Sequence, residues 1–169
     1  AVSYGSLGNG STANISASIL KKAEGIDMIQ VPYKGAPDAH HDLFAGRLTM
    51  MFDFVGSSLP HIRSGKLRAL AVAKPQRLGV LPDVPSMEEL GYPGFDTTMF
   101  YAVYVPAGTP RDIIARLGEE FRAVLEKPAV REKFASIAVE PGELTGDRFA
   151  AYQAAQFTRW GTMIKSLNI

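Results

Sequence analysis

The chain has 169 residues, 46% of them hydrophobic, with 18 basic and 17 acidic side chains and no cysteine. This length accommodates one domain or two small lobes with a proper core. The even charge balance, without a basic run, argues against nucleic acid as a partner. The lack of cysteine excludes thiolate chemistry, disulfides and Cys-ligated metals, and no apolar run is long enough for a membrane-spanning helix.

The first part of the sequence alternates strand and helix patterns. Short apolar runs typical of strands are followed by segments with apolar residues at helical spacing and with helix start and stop residues. This alternation predicts crossover connections and a largely parallel sheet. The predicted strands are Val2–Ser6, Met28–Val31, Leu48–Phe54 and Leu67–Ala73, and the predicted helices are Ser11–Glu24, Pro37–Ala45 and a short helix capped by Ser57 and Ser58 that runs to Arg63.

The second part of the sequence changes character. Prolines and glycines interrupt residues 74–97 and leave room only for a short helix around Met87–Leu90, so we expect a connection over the surface or between lobes. Thr98–Val105 has the composition of a further strand. Three helices are predicted after it: one that begins at a capping box of Thr109, Pro110 and Asp112, one that opens at Pro128, and a last one from Thr145 that buries Phe149, Tyr152, Phe157, Trp160 and Ile164.

Three unusual segments fall at the carboxyl ends of the predicted strands: residues 5–12, 32–35 and 53–58. Ligands of open α/β sheets bind beyond the carboxyl ends of the strands. We therefore expect these three segments to meet at one binding site.

The segment of residues 4–14 is the most informative of all. Its three glycines let the backbone approach a bound group, and its hydroxyls follow where a helix begins and offers free amides to an anion. Residues 8–13 also fit the dinucleotide pattern G-x-G-x-x-A, but no acidic residue stands where a ribose needs one. A carboxylate site fits better, and a plain turn capped by Ser11 remains the alternative.

Polar and aromatic residues at the other two strand ends are further candidates. Asp53 interrupts an apolar run, so its carboxylate must be hydrogen-bonded or lie at the open end of the strand. Ligand contact and capping of the next helix are equally open for it. Lys34 is either a countercharge for an acidic ligand or an exposed turn lysine, and Tyr33 and Phe54 are either pocket walls or core.

Catalysis and metal binding have little support in the sequence. No Gly-x-Ser-x-Gly motif occurs, and we expect Ser6 and Ser11 to donate hydrogen bonds, not to attack a substrate. The adjacent His40 and His41 point about 100° apart on a helix, so we interpret them as part of a solvated surface and His61 as structural. We expect no metal, no cofactor and no enzymatic activity.

Six groups of residues, in order along essentially the whole chain, resemble motifs of the Bug/TctC family of periplasmic solute-binding proteins. Members of this family are receptors of tripartite tricarboxylate transporters. The matching groups are Tyr4–Ser6 with Gly8–Ser11, Val31–Gly35, Met51–Asp53, Leu59–Val72, Leu81–Pro85 and Pro106–Pro110.

The resemblance implies an α/β, periplasmic-binding-protein-like (type II) fold with a mostly parallel sheet flanked by helices. Residues 1–102 would form the second, ligand-binding lobe, and residues 103–169 would return into the first. The implied function is capture of a small carboxylate (a dicarboxylate, an amino-acid-like acid or an aromatic acid) in the periplasm for the subunits of a membrane transporter. The family's ligand residues fall on Ser6, Asn9, Gly10, Ser11, Thr12, Tyr33, Lys34, Gly35 and Asp53.

The chain starts at Ala1 without an export signal and without the first segment of the other lobe, so we expect a processed or truncated form. In that case the elements from about Val103 onward lack sheet neighbours. We expect them to repack against residues 1–100 or to pair with a second copy of the chain. An α/β enzyme that uses Ser11 or Asp53, and a protein-interaction or sensing module, stay open as alternatives.

Overall fold

A computed structural model describes all 169 residues, and its centre is a three-stranded parallel sheet. The strand order is β2-β1-β3, and a helix follows each strand, as in crossover units. The α/β class and the parallel sheet are therefore as the sequence predicts. The elements are β1 (Val2–Ser6), α1 (Thr12–Glu24), β2 (Met28–Pro32), α2 (Ala36–Phe44), β3 (Met50–Met51) and α3 (Val55–Arg63).

Helix α1 begins and ends where its local chemistry dictates. The Ser11 side chain accepts a hydrogen bond from the Asn14 N–H at 3.3 Å, which satisfies one of the unpaired amides of the first turn. Gly25 ends the helix in the left-handed conformation, with a φ of 63°. Between these ends, Ala17 packs with Tyr4 and Met28 in a small buried cluster that holds α1 on the sheet.

Two predicted strands of the first part are shorter or absent. β3 covers only Met50–Met51 of the predicted 48–54 run and pairs with β1 alone. The predicted strand Leu67–Ala73 is reduced to one bridge, between Val72 and Ser86. Pro85 precedes Ser86 and has no N–H, so a ladder cannot continue there.

Several predictions on caps and turns are also wrong. Helix α3 begins at Val55, before Ser57 and Ser58, so these serines do not cap it. Residues 87–91 form a hydrogen-bonded turn, not a helix. The Thr109 hydroxyl donates to the Pro106 carbonyl at 2.8 Å and leaves the following helix without a side-chain cap.

The C-terminal part contains three helices and an extended segment. The helices are α4 (Arg111–Leu125), α5 (Pro128–Ser136) and α6 (Gly146–Leu167). Residues 99–105, predicted as a strand, make no backbone hydrogen bond to any other residue. None of the helices combines the length and the apolar character that crossing a bilayer requires.

The core lies entirely in the first part of the chain, because every buried residue is at or before Thr97. Helix α6 lies against α1, and the Lys22 ammonium donates to the Ser166 carbonyl at 2.9 Å. The predicted burial of five apolar residues on α6 is wrong: Phe157 is 83% exposed, and the other four are only half-buried (Phe149, Tyr152, Trp160 and Ile164). The contact with α1 therefore leaves no residue of α6 fully buried.

Candidate functional site

The parallel pairing brings the carboxyl ends of all three strands to the same edge of the sheet. Ser6 at the end of β1 lies opposite Pro32 at the end of β2, and Gly5 lies opposite Met51 at the end of β3. Helices α1, α2 and α3 start from this edge. The topology therefore places segments 5–12, 32–35 and 53–58 at neighbouring positions, as the sequence predicts.

The starts of the three helices carry N–H groups without an acceptor in the chain. These groups belong to Thr12 and Ala13 in α1, Ala36 in α2, and Val55 and Gly56 in α3. The first turn of a helix leaves such amides unpaired and carries a partial positive charge. Three helix starts at one edge therefore form a region that attracts an anion.

The loop between β1 and α1 takes its shape from glycine. Gly8 and Gly10 have φ values of 104° and 74°, a region that other residues rarely adopt. The Ser11 hydroxyl donates to the Gly8 carbonyl at 2.8 Å and closes the loop, while Asn9 and Gly10 are exposed at its tip. The Thr12 hydroxyl lies 2.9 Å from the sulfur of Met99. Asn9 and Gly10 are thus open to a ligand, whereas the hydroxyls of Ser11 and Thr12 are engaged within the chain.

A partly buried polar network supports this loop from below. Asn14 accepts a hydrogen bond from the Gly10 N–H through Oδ1 at 3.3 Å. Its Nδ2 donates to the Tyr4 hydroxyl at 3.0 Å and to Gln30 Oε1 at 3.1 Å. Gln30 Nε2 donates to Ser6 Oγ at 2.8 Å, and Ser6 is fully buried. The loop is therefore tied to α1 and β2 by side chains, not only by its own turn.

The second strand end has one engaged and one free polar side chain. The Tyr33 hydroxyl donates to Asp42 Oδ2 at 2.7 Å, and Asp42 pairs with Arg47 at 2.6 Å. Lys34 is exposed and forms no ion pair, so its charge is available to a ligand. Gly35 precedes α2 in an extended conformation and offers no side-chain cap to the free amide of this helix.

The contact between Tyr33 and Asp42 shifts the pKa of both side chains. Partial burial raises the pKa of Tyr33, and the hydrogen bond to Asp42 raises it further. The hydrogen bond from Tyr33 lowers the pKa of Asp42, with Arg47 acting in the same direction and desolvation opposing them. The contact therefore favours the protonated form of Tyr33 and the ionised form of Asp42. The neutral Tyr33 hydroxyl is the donor, and Asp42 on α2 is the acceptor.

Asp53 at the third strand end is held by donors of the chain itself. Its Oδ2 accepts from Ser57 Oγ at 2.9 Å and from Ser58 Oγ, and it lies 2.7 Å from His40 Nε2. An ionised carboxylate only accepts hydrogen bonds, so this contact requires the proton on Nε2 of His40. The carboxylate thus ties α2 to the start of α3.

His40 differs from its predicted placement on a solvated surface. His40 is buried by its contact with Asp53, whereas His41 is exposed. His61 reaches from α3 to pack edge-on against His40 and Phe44, at ring distances of 5.1 and 5.0 Å. A spacing rule that compares only His40 with His41 misses a neighbour that comes from another helix.

One cavity lies beside the strand edge, and another lies away from it. A cavity of about 300 Å³ lies between α2 and α3, next to Asp53, and its lining includes His40, Phe44, Ser57 and His61. The other, of about 400 Å³, lies between α1, residues 91–95 and α6. The glycine-rich loop lines neither of these two cavities.

The geometry does not resemble that of a hydrolase. A nucleophilic serine needs a base next to its hydroxyl, yet the Ser11 hydroxyl contacts only backbone groups. Near α3 the Asp53 carboxylate lies between the serines and His40, whereas a catalytic triad has the imidazole between serine and acid. The His, Asp and Glu side chains also form no group of three that could hold a metal ion.

Comparison with solved structures identifies the class of protein. The structure of R. palustris Rpa4515 with adipate matches 99% of this chain with a TM-score of 0.90 and 31% identity. The periplasmic binding protein BugD matches 99% with a TM-score of 0.88 and 28% identity. The fold is thus that of periplasmic binding proteins.

The family follows from the sequence comparison. The model of the tripartite tricarboxylate transporter family receptors, TctC, matches residues 1–169, so the chain belongs to this family. The protein BugT of Bordetella pertussis is 35% identical over 156 residues, which are 92% of this chain and 48% of BugT. The chain also covers 56% of the Rpa4515 structure and 57% of the BugD structure, so it spans about half the length of these relatives.

Proposed function

We propose that this chain forms one side of a carboxylate-binding site in a periplasmic solute-binding receptor that serves a membrane transporter. The observation that carries the proposal is the convergence of the starts of α1, α2 and α3 at one edge of a parallel sheet. Their unpaired amides offer hydrogen bonds and partial positive charge to an anion. Family membership and the similarity to Rpa4515, whose structure is that with adipate, support a carboxylic acid as that anion.

The predicted ligand residues take different roles in this proposal. Asn9 and the helix-start amide of Thr12 offer free donors to the ligand, and Gly10 lets the ligand approach the exposed tip of the loop, although its own N–H donates to Asn14. Lys34 supplies the countercharge from the second strand end, and Gly35 gives the ligand access to the start of α2.

The remaining members of the predicted set act from behind the contact surface. The side chain of Ser11 forms its hydrogen bond within the loop. The side chain of Tyr33 bonds to α2, and that of Asp53 bonds to α3. Ser11 and Tyr33 fix their own segments locally, and Asp53 joins α2 to the start of α3. Ser6 lies at the buried base of the loop.

A thermal-shift screen with paired ligands tests the proposal. A ligand that binds only the folded protein stabilises it by about 2.7 kcal/mol at a hundredfold excess over its Kd. We expect adipate or another dicarboxylate to raise the Tm, and the uncharged diamide of the same length to leave it unchanged. Equal shifts with acid and diamide, or no shift with any acid of a broad panel, would contradict the proposal.

A variant that removes the charge of Lys34 tests whether the acid binds at the strand edge. Lys34→Gln should weaken acid binding by about twofold to fivefold, the range expected for one exposed charge. Lys133→Gln, an exposed lysine on α5, removes the same charge far from the strand edge and should leave binding unchanged. Equal effects of the two variants would show that the acid senses only the net charge.

Protein contact is a second candidate function, favoured by the exposed apolar side chains of residues 99–105 and α4. Tyr101 and Val103 are exposed, as are Ile113 and Phe121. Apolar surface of this kind marks contact with another protein or with a second copy. Sedimentation at several concentrations tests pairing of copies: a monomer at all concentrations would reject it.

A further inference from the structure

An acidic residue stands beside the amides that the proposed site offers to an anion. Asp53 lies two residues before Val55, the first residue of α3, and the amides of Val55 and Gly56 have no acceptor in the chain. A carboxylate close to a helix start is attracted to such amides and to the partial positive charge there. Asp53 is therefore a competitor, within the chain itself, for the anion that this helix start would bind.

The Asp53 carboxylate nevertheless leaves the backbone of α3 alone, since this helix has no side-chain cap. Three side-chain donors converge on one carboxylate oxygen, Oδ2: the hydroxyls of Ser57 and Ser58, and His40 Nε2 at 2.7 Å. The other oxygen, Oδ1, accepts no hydrogen bond within the chain. Side chains thus hold the carboxylate while the amides of the first turn stay free.

His40 differs from the two serines because it acts from another helix. The serines belong to α3 itself, so their hydrogen bonds do not pull the carboxylate away from this helix. His40 lies on α2 and is 4% exposed, and its ring packs against those of His61 and Phe44 at 5.1 and 6.1 Å. A buried ring between fixed neighbours is a rigid donor, so His40 is the group that holds the carboxylate toward α2.

We propose that His40 is a positioning residue that keeps the Asp53 carboxylate off the start of α3 and so leaves the amides there to the ligand. The inference rests on the proposed function and deepens it, because it accounts for an acidic residue at the edge of an anion site. His40 itself does not touch the ligand. Without its hydrogen bond, the carboxylate is released toward the amides of Val55 and Gly56 and competes with the ligand for them.

The variant His40→Phe removes the donor and keeps an aromatic ring at this position. We expect adipate binding, measured by calorimetry, to weaken by about threefold to tenfold, the range that a side-chain cap contributes to a helix. His40→Gln places an amide donor near the position of Nε2 and should lose less affinity than His40→Phe. His41→Phe makes the same exchange at the exposed neighbouring position and should bind adipate like the unmodified protein. Undiminished binding by His40→Phe overturns the inference.

A double variant separates release of the carboxylate from loss of packing. Because all three donors meet on Oδ2 and Oδ1 has no partner in the chain, asparagine fits at position 53 with its oxygen in place of Oδ2 and its NH₂ group in place of Oδ1. A neutral amide oxygen is a weaker acceptor than a carboxylate. Adding Asp53→Asn to His40→Phe should therefore recover most of the lost affinity. A purely structural role of His40 predicts no recovery, and that result overturns the inference.

Asp53→Asn alone keeps the inference testable if His40→Phe does not fold. This variant leaves His40 in place and removes only the charge of the competing group. It should bind adipate more tightly than the unmodified protein, because the amides of α3 then attract the ligand with less competition. Weaker binding would show that the charge of Asp53 assists the ligand, and it overturns the inference.

Amide hydrogen exchange judges the inference without a ligand. The free amides of Val55 and Gly56 should exchange rapidly in the unmodified protein and several-fold more slowly in His40→Phe, because the released carboxylate accepts from them. Loss of packing alone has the opposite sign, since local opening speeds exchange. Unchanged or faster exchange at both residues overturns the inference. Slower exchange in His40→Phe, together with no acid binding by the unmodified protein, would support the role of His40 and reject the proposed function instead.

Discussion

Residues 1–97 and residues 98–169 form two regions that contain three helices each and differ in their packing. The first region contains every buried residue, whereas the second contains none. Helix α4 carries a clear apolar face, yet Ile113 and Phe121 on that face remain exposed. An amphipathic pattern therefore predicts a helix but not the surface that will cover it.

One helix start also differs from the rest. The Ser11 side chain caps α1, whereas α2 and α3 of the first region and all three helices of the second region begin without a side-chain cap. The polar network of Asn14 and Gln30 and the Asp53 contacts likewise belong to the first region. The candidate site thus rests on the part of the chain that is fixed both by burial and by side-chain hydrogen bonds.

The largest expected difference between the regions concerns buried and exposed apolar side chains. Leu59 on α3 is 2% exposed, so Leu59→Ala should lower the free energy of unfolding by about 3 kcal/mol. Phe157→Ala on α6 removes a larger side chain and should change it by less than about 0.5 kcal/mol. Urea unfolding measures both, and a large loss for Phe157→Ala would show that α6 is covered in solution.

The next difference concerns acidic residues near helix starts. Asp53→Ala leaves Ser57, Ser58 and His40 without their common acceptor and should cost about 2 kcal/mol. Asp147→Ala, in the first turn of α6, removes only a favourable interaction with the helix dipole and should cost under about 1 kcal/mol. Equal losses in thermal or urea unfolding would show that the Asp53 contacts contribute little.

The caps themselves provide a smaller contrast. Ser11→Ala removes a side-chain cap and should destabilise the protein by about 1 kcal/mol. Thr145→Ala changes the residue at the same position of α6, where no side-chain cap exists, and should have almost no effect. If Thr145→Ala costs as much as Ser11→Ala, its hydroxyl caps α6 in solution.

The smallest expected effect is a pH dependence within the first region. Hydrogen bonds from Arg77 and from the Ser86 backbone lower the pKa of Glu89 from 4.5 to about 2. Folding therefore favours the ionised form, and its contribution is present above pH 4.5 and lost as the pH falls toward 2. In Glu89→Gln, the free energy of unfolding should fall less steeply as the pH is lowered through this window. Salt should weaken the effect, because the Arg77–Glu89 ion pair is exposed. If the free energy of unfolding depends on pH equally steeply in the unmodified protein and in Glu89→Gln, the lowered pKa of Glu89 is contradicted.

Local signals in the sequence predicted much of the first region. Ser11 and Gly25 mark the ends of α1 through backbone rules that need no tertiary contact. Strand–helix alternation then implied a parallel sheet, and with it the meeting of the three strand ends. The failures needed partners that no local pattern names: residues 67–73 and 98–105 have strand composition, yet they lack neighbouring strands in the structure.

The supporting residues of the site were harder to find from the sequence. Gln30 is the single polar residue in an apolar strand, the same signal that drew attention to Asp53, but its partners lie on β1 and α1. His40 was misplaced because its contact with Asp53 joins two different crossover units. These long-range hydrogen bonds decide which of the candidate residues are free to touch a ligand and which hold the others in place. Sequence reasoning could therefore not separate the two groups of residues.

The most direct test of the carboxylate site is an amide chemical-shift titration of the protein with adipate. We predict that the shifted resonances belong to the free amides at the starts of α1, α2 and α3, with those of Thr12, Ala36 and Val55 among them. The amides of α4 and α5 should not move. Saturable shifts confined to residues 98–169, or no shifts at millimolar adipate and other dicarboxylates, would contradict the central claim.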